Sequence, residues 1–172
     1  RTDDKEDQYI IDNKKNNQIV FFSSMHDNHI RSAYSMFKDK MIFGHGVKMF
    51  RIICKKEKYF KNRESCSTHP HSTYAQLLAE TGLVGFFMFF GLFIVISFLL
   101  LKIYINKFIF KKKNKISNYE LCLLISFFIT LWPLIPSGNF FNNWINILYF
   151  FPLGFYLEEK IKFSIKINET IK

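Results

Sequence analysis

His69, Pro70, His71 and Ser72 stand directly ahead of a long apolar run, and this is the stretch whose residue types could do chemistry. A histidine, with an ordinary pKa of about 6.5, can act as a base near neutral pH. Pro70 disfavours helix at His69 and fixes the approach to His71. Ser72 or Thr73 could cap the helix that follows, which would leave its first amides facing the site. Gly82 and Gly85 allow close helix packing where the apolar run begins. Most surface histidines merely meet water, and it is the complete pattern around His71 that makes it the candidate base. His69 either assists His71 or supports it. Glu80, nine residues after His71, could orient a histidine or bind a substrate hydroxyl, or simply end a helix at an interface. His26, His29 and His45 lack a comparable context and read as surface residues.

The cysteines admit two readings. Cys54 and Cys66 both fall in the polar half of the chain, and a bridge between them would close a loop of about a dozen residues, stabilising the fold by about 3 kcal/mol. It would also hold the strand carrying Arg51 near His71. The rival is a zinc site from Cys54, Cys66, His69 and His71; its ligand types suit zinc, but the paired short spacings of zinc fingers are absent. The disulfide is preferred, and Cys122 reads as packing.

These residues must be positioned by a chain of two unlike halves. Hydrophobic residues make up 49% of the 172, with 22 Phe, yet the formal net charge is +10. Residues 1–80 carry 14 Lys and Arg against 10 Asp and Glu and contain no long apolar run. Residues 81–172 carry 10 against 4, mostly between apolar blocks. The first half reads as water-facing and the second as membrane. The chain begins at Arg1, without a signal-peptide pattern, which suggests a fragment with membrane segments upstream.

The clearest span runs from Leu83 to about Tyr104, with Lys102 near its end able to snorkel to headgroups. About 20 apolar residues cross a hydrocarbon core of roughly 30 Å. A second block covers 119–135, with Glu120 at its start and Pro133 and Pro136 at its end. A third, about 142–157, contains Pro152 and Gly154 and is short for a crossing. The lysines between the first two spans (Lys102, Lys107, Lys111, Lys112, Lys113 and Lys115) place that loop in the cytoplasm. The uncharged Pro136–Asn143 connection then lies opposite, and the tail 158–172 returns to the cytoplasm. By the same alternation residues 1–80 are extracytoplasmic. Within them, Arg1 to Gln18 reads as polar and mobile, and Asn28 to Lys40 as a helix with Ile30, Tyr34 and Phe37 on one face. Gly44-His45-Gly46 is a turn signal. Thr73 to Thr81 reads as a helix running into the first span, and the tail from Lys160 to Ile167 as a strand or interfacial ribbon.

His71-Ser72, nine residues, Gly82, two residues, Gly85 resembles the signature of the O-antigen ligase and polymerase superfamily. The run Tyr74 to Gly82 is similar to it as well. So is Met36 to Gly46, although Met41 stands where a proline is expected. Pro136 to Phe141 also fits, so the resemblance covers roughly 26–157. It implies a mainly α, polytopic, glycosyltransferase C-like membrane protein of the bacterial inner membrane, here a fragment with an extracytoplasmic segment and about three membrane helices. The donor it implies is a glycan on a polyprenyl diphosphate, with a glycan, lipid or protein acceptor. Neither a metal or other cofactor nor a nucleic-acid partner is expected. Without a metal, arginine must meet the charge of the departing diphosphate, because guanidinium grips phosphate oxygens through paired hydrogen bonds. Arg31 and Arg51 are the candidates, each beside a family-like element, although either could simply solvate a loop. Arg63 is a weaker third, and His69 and Ser72 join it as substrate-binding candidates. A catalytic arginine could equally lie upstream.

Two function classes remain after this reading. One is an enzyme that transfers or polymerises a lipid-linked glycan, with inversion at the anomeric carbon. The other is a non-catalytic membrane carrier or sensor with an extracytoplasmic domain, in which His71 and the arginines would tolerate substitution. A zinc-binding sensor is a weaker variant of the second.

Overall fold

The structure is a computed structural model and describes residues 23–59, 65–111 and 116–171. Arg63, the Arg1 to Gln18 segment, and Lys112, Lys113 and Lys115 of the basic loop lie outside the described residues. What is described is mainly α-helical, with no strand among the described residues. The helices are α1 (Ser24–Asp39), α2 (Phe50–Ile53), α3 (Thr73–Tyr104, continued by a π-helical turn at Ile105–Ile109), α4 (Asn118–Thr130) and α5 (Asn143–Ile171). They fall into two compact units. One holds the described residues up to Phe87 together with Pro133–Phe141; the other holds Met88–Trp132 and the residues from Asn142 onward.

In the first unit, α1 packs through a stripe of small and polar side chains. Ser32, Ala33 and Met36 are fully buried, and His29 is 2% exposed. Ala33 and Met36 join Phe50, Ile53, Cys54, Tyr59 and Ala79 in one core. On the face shared by Ile30, Tyr34 and Phe37, Tyr34 is 52% exposed and the other two are half-buried, with the Tyr34 ring 6.3 Å from that of Phe37. Small residues at 32 and 33 let backbones approach closely, and that outweighs aromatic area in choosing which face packs.

The start of the apolar run is built around a break. Gly82 has φ 65° and ψ −158°, so α3 is two helical segments meeting at a kink. Each segment leaves backbone groups without helical partners at the junction, and the turn at 41–46 supplies them. The amides of His45 and Gly46 donate to the carbonyls of Ala79 and Glu80 at 3.0 and 2.8 Å, while those of Leu83 and Val84 donate to Met41 and Ile42 at 2.8 and 3.3 Å. The fit is tight enough to require glycine on both sides. A Cβ on Gly44 would lie 2.4 Å from the Glu80 carbonyl carbon, and one on Gly82 would lie 2.4 Å from the Ile42 oxygen.

The second unit contains the rest of α3, α4 and α5. Phe93 stacks on Phe128 with centroids 5.5 Å apart, and Trp132 meets both rings edge to face. Ser117 and Glu120 form a reciprocal capping box at the start of α4, with bonds of 3.1 and 3.0 Å. Glu120 also pairs with Lys160 at 2.7 Å.

Among the described residues one helical stretch, Thr73–Ile109, is long and apolar enough to cross a membrane, and only 11% of its most apolar 18-residue window is buried. A core helix of a soluble protein would hide that window. The second block differs from the expected 119–135. α4 ends at Thr130, giving 13 residues, or about 20 Å, because the helix must end ahead of Pro133. The third block also differs. Instead of ending near 157 and giving way to a strand or ribbon, α5 runs on to Ile171 through Pro152. Glu158 and Lys162, one turn apart and paired at 2.8 Å, support helix there.

Candidate functional site

Ser72 starts α3. Its hydroxyl accepts from the Ala75 amide at 3.4 Å and its carbonyl from the Gln76 amide at 2.9 Å, so it serves as the N-cap. The chain reaches that cap through a left-handed residue: His71 has φ 56°. For a side chain with a Cβ this conformation costs about 1–2 kcal/mol, and such residues gather at functional sites. Two neighbours hold it there. Pro70 is fully buried, and the His71 carbonyl accepts from the Ser137 amide at 3.1 Å.

The Pro136–Phe141 loop is stitched to the same helix. Thr73 Oγ1 donates to Ser137 Oγ at 2.7 Å. Gln76, wholly buried, donates through Nε2 to Asn139 Oδ1 at 2.8 Å and accepts at Oε1 from the Phe140 amide at 2.9 Å. The imidazole of His71 therefore projects from a backbone fixed on both sides.

Three other histidines surround it. Ring centroids lie 4.2 Å away for His69, 5.2 Å for His26 and 5.4 Å for His29, and His26 and His29 are 6.5 Å apart. Burial, and then the neighbouring His71, His26 and His69, hold His29 at about 4 against an ordinary 6.5. Burial first and His71 second lower His69, while burial first and His26 second lower His71. All three are thus driven toward the neutral form at pH 7, the form in which a ring nitrogen can accept a proton. His71 also lines a pocket with His26, Ile30, Ser72 and the Pro133–Pro136 turn. The rings lie stacked, tilted or edge to face, and no group of three or more His, Cys, Asp or Glu among the described residues is arranged to hold a metal ion.

His26 and His29 are therefore not simple surface residues. His29 is buried, and its Nδ1 has no hydrogen-bond partner among the described residues. A signal for them existed: histidines three apart on a helix share a face, and the pair lies just ahead of Arg31. His45 also departs from expectation. Its side chain is 6% exposed, with Nε2 3.0 Å from the Met36 carbonyl.

The remaining candidates sit as follows. Arg31 lies on α1 two residues beyond His29, half-buried, with its Nε donating to Asp27 Oδ2 at 2.5 Å. Arg51 is exposed on α2, a short helix rather than a strand. That helix is fixed at both ends. The Phe50 amide donates to Glu80 Oε1 at 2.7 Å, and Cys54 is disulfide-bonded to Cys66 with a Cα separation of 5.5 Å. Bonded sulfurs are not thiolate ligands, which removes the zinc set of Cys54, Cys66, His69 and His71. Glu80 is 1% exposed, and its second oxygen accepts from Gln76 Nε2 at 2.9 Å. The structure thus groups His69, His71 and Ser72 with His26 and His29, and separately joins Glu80 to the backbone beside Arg51.

This arrangement, with a neutral histidine at a capped helix start, then Glu80, Gly82 and Gly85, lies inside a stretch that matches a known family model, that of the O-antigen ligases, over residues 27–90. Over residues 27–90 the chain is similar to the O-antigen ligases. The match begins at Asp27 on α1 and ends at Phe90, so it includes His29, His71, Arg31, Arg51, Glu80 and the disulfide but not the Pro136–Phe141 loop. The match to the O-antigen ligase model over these residues supports a glycan-transfer role in polysaccharide biosynthesis. No curated protein and no solved structure matches the chain.

Proposed function

We propose that the protein transfers or polymerises a polyprenyl-diphosphate-linked glycan onto an acceptor hydroxyl at the outer face of a bacterial inner membrane. His71 takes the proton from the acceptor hydroxyl as its oxygen forms a bond to the anomeric carbon of the donor sugar. The bond from that carbon to the diphosphate oxygen breaks, and the lipid diphosphate departs with the electron pair. One displacement gives inversion. Arg31 and Arg51 are the residues proposed to meet the negative charge that builds on the leaving group; no catalytic metal is invoked.

In this reading the chain is polytopic, with Leu83–Tyr104 as its first span here, the segments about 119–135 and 142–157 as further crossings, residues 1–80 outside and 158–172 in the cytoplasm. A general role in surface polysaccharide polymerisation is favoured over ligation to a lipid core. The observation that carries the reading is His71 itself: a left-handed residue with a lowered pKa, one position ahead of the helix cap, inside the O-antigen ligase segment.

The test is His71→Ala in the producing cell, with surface glycan followed by gel. Loss of ligated or polymerised glycan at unchanged protein level is expected. Normal glycan would defeat the proposal and favour a non-catalytic carrier or sensor.

A further inference from the structure

The turn that repairs the kink at Gly82 carries a second feature that catalysis does not use. Met41, Ile42, Phe43 and Val47 are 50, 59, 76 and 53% exposed. Exposure of this kind usually accompanies loose chain, but here the backbone is held. The carbonyls of Met41 and Ile42 accept from Leu83 and Val84, the amides of His45 and Gly46 donate into the preceding helical segment, and Gly44 is packed against the Glu80 backbone. A rigid turn that points consecutive Met, Ile and Phe side chains outward has an apolar surrounding as its natural environment, since contiguous exposed apolar patches mark contact surfaces.

Position and charge say which surrounding. Met41 and Ile42 bond to the first two residues of the apolar run, so their backbone lies at the level where the chain leaves water. Around them the sequence is basic: residues 38–58 hold seven Lys and Arg against two acids. Lys40 and Lys48 flank the apolar group and are both exposed. Apolar side chains between lysines, at the foot of a membrane-crossing helix, match the boundary between acyl chains and anionic headgroups.

We infer that the 41–47 turn is a lipid-interface anchor: Met41, Ile42 and Phe43 insert into the headgroup–acyl boundary of the outer leaflet while Lys40 and Lys48 meet lipid phosphates. This rests on the reading that Leu83–Tyr104 crosses the bilayer. Through the hydrogen bonds at Gly82, such an anchor fixes the depth of the helix that begins at the His71 site.

The test uses the full-length protein with Trp132→Phe and Trp144→Phe, to which either Phe43→Trp or Phe98→Trp is added. Each protein is reconstituted in phosphatidylcholine–phosphatidylglycerol vesicles brominated at shallow or at deep acyl positions. Phe98, 64% exposed within the apolar run, reports on the span. The Phe43→Trp protein is expected to show blue-shifted emission and stronger loss of fluorescence with shallow than with deep bromines, and the Phe98→Trp protein the reverse preference. Quenching of the Phe98→Trp protein alone would overturn the anchor and leave the membrane reading standing, with a protein segment covering the turn instead. Absence of quenching in both would overturn the membrane reading and the anchor with it.

Discussion

The imidazole of His29 lies stacked on that of His71, with ring centroids 5.4 Å apart and planes 28° from parallel. One ring comes from the middle of α1 and the other from the residue before the cap of α3. His29 is almost entirely buried and neutral, so the proposed base rests against an uncharged ring on that side.

The first consequence concerns activity against pH. A base must be neutral to accept a proton, and burial followed by His26 lowers the pKa of His71 below 6.5. The acid limb of glycan transfer is therefore expected below pH 6.5. His26→Gln removes the second cause while leaving burial, and should move the limb upward toward that value with little change at pH 8. A pH–rate profile checks both, and an acid limb above 6.5 in the unaltered protein would contradict the assignment of His71 as the base.

Stability should fall over a neighbouring window. His29 has a folded pKa of about 4 against 6.5 when exposed, so the unfolded chain binds its proton first as the pH drops. The neutral ring's contribution is fully present above about pH 6.5 and is lost progressively between there and about 4. A shift of this size corresponds to at most about 3 kcal/mol, less with solvent screening. Denaturant unfolding at several pH values should show that slope, and His29→Phe should flatten it; an unchanged slope would assign the acid sensitivity to other groups.

Glu80 separates support from chemistry. Its two oxygens accept from the Phe50 amide and from Gln76, inside the core. Glu80→Ala strands both donors, at about 1–3 kcal/mol for each. Glu80→Gln can still accept from Phe50, but its amide then faces the Gln76 amide, which is committed to Asn139 and Phe140. An intermediate loss of stability is expected for Gln and a large one for Ala, read by thermal unfolding in detergent. If both variants unfold like the unaltered protein yet lose activity, Glu80 takes part in the chemistry instead.

Several features were legible because they are local. The apolar run after Leu83 needs only composition, a cap at Ser72 or Thr73 only a hydroxyl ahead of a helix, and the turn at Gly44 to Gly46 only its glycines. The tail read as a strand or interfacial ribbon because its alternating Lys and apolar residues satisfy a period of two. The Glu158–Lys162 pair and continuity from α5 override that pattern. Which face of α1 packs was not legible in the sequence: Tyr34 and Phe37 offer more apolar area, while the buried Ser32 and Ala33 offer close approach.

By itself, the sequence determined that His71 stands before a capped helix, that an apolar run follows through two glycines, and that the chain is mainly helical. These depend on neighbours within a few residues, where backbone preference and side-chain period act directly. Only the tertiary structure decided that His26 and His29 close around His71, that Glu80 grips the backbone beside Arg51, and that the 41–46 turn satisfies both halves of a broken helix. Those contacts join residues dozens of positions apart, and they are selected by which surfaces pack and which buried polar groups find partners. No periodicity in the chain encodes that choice.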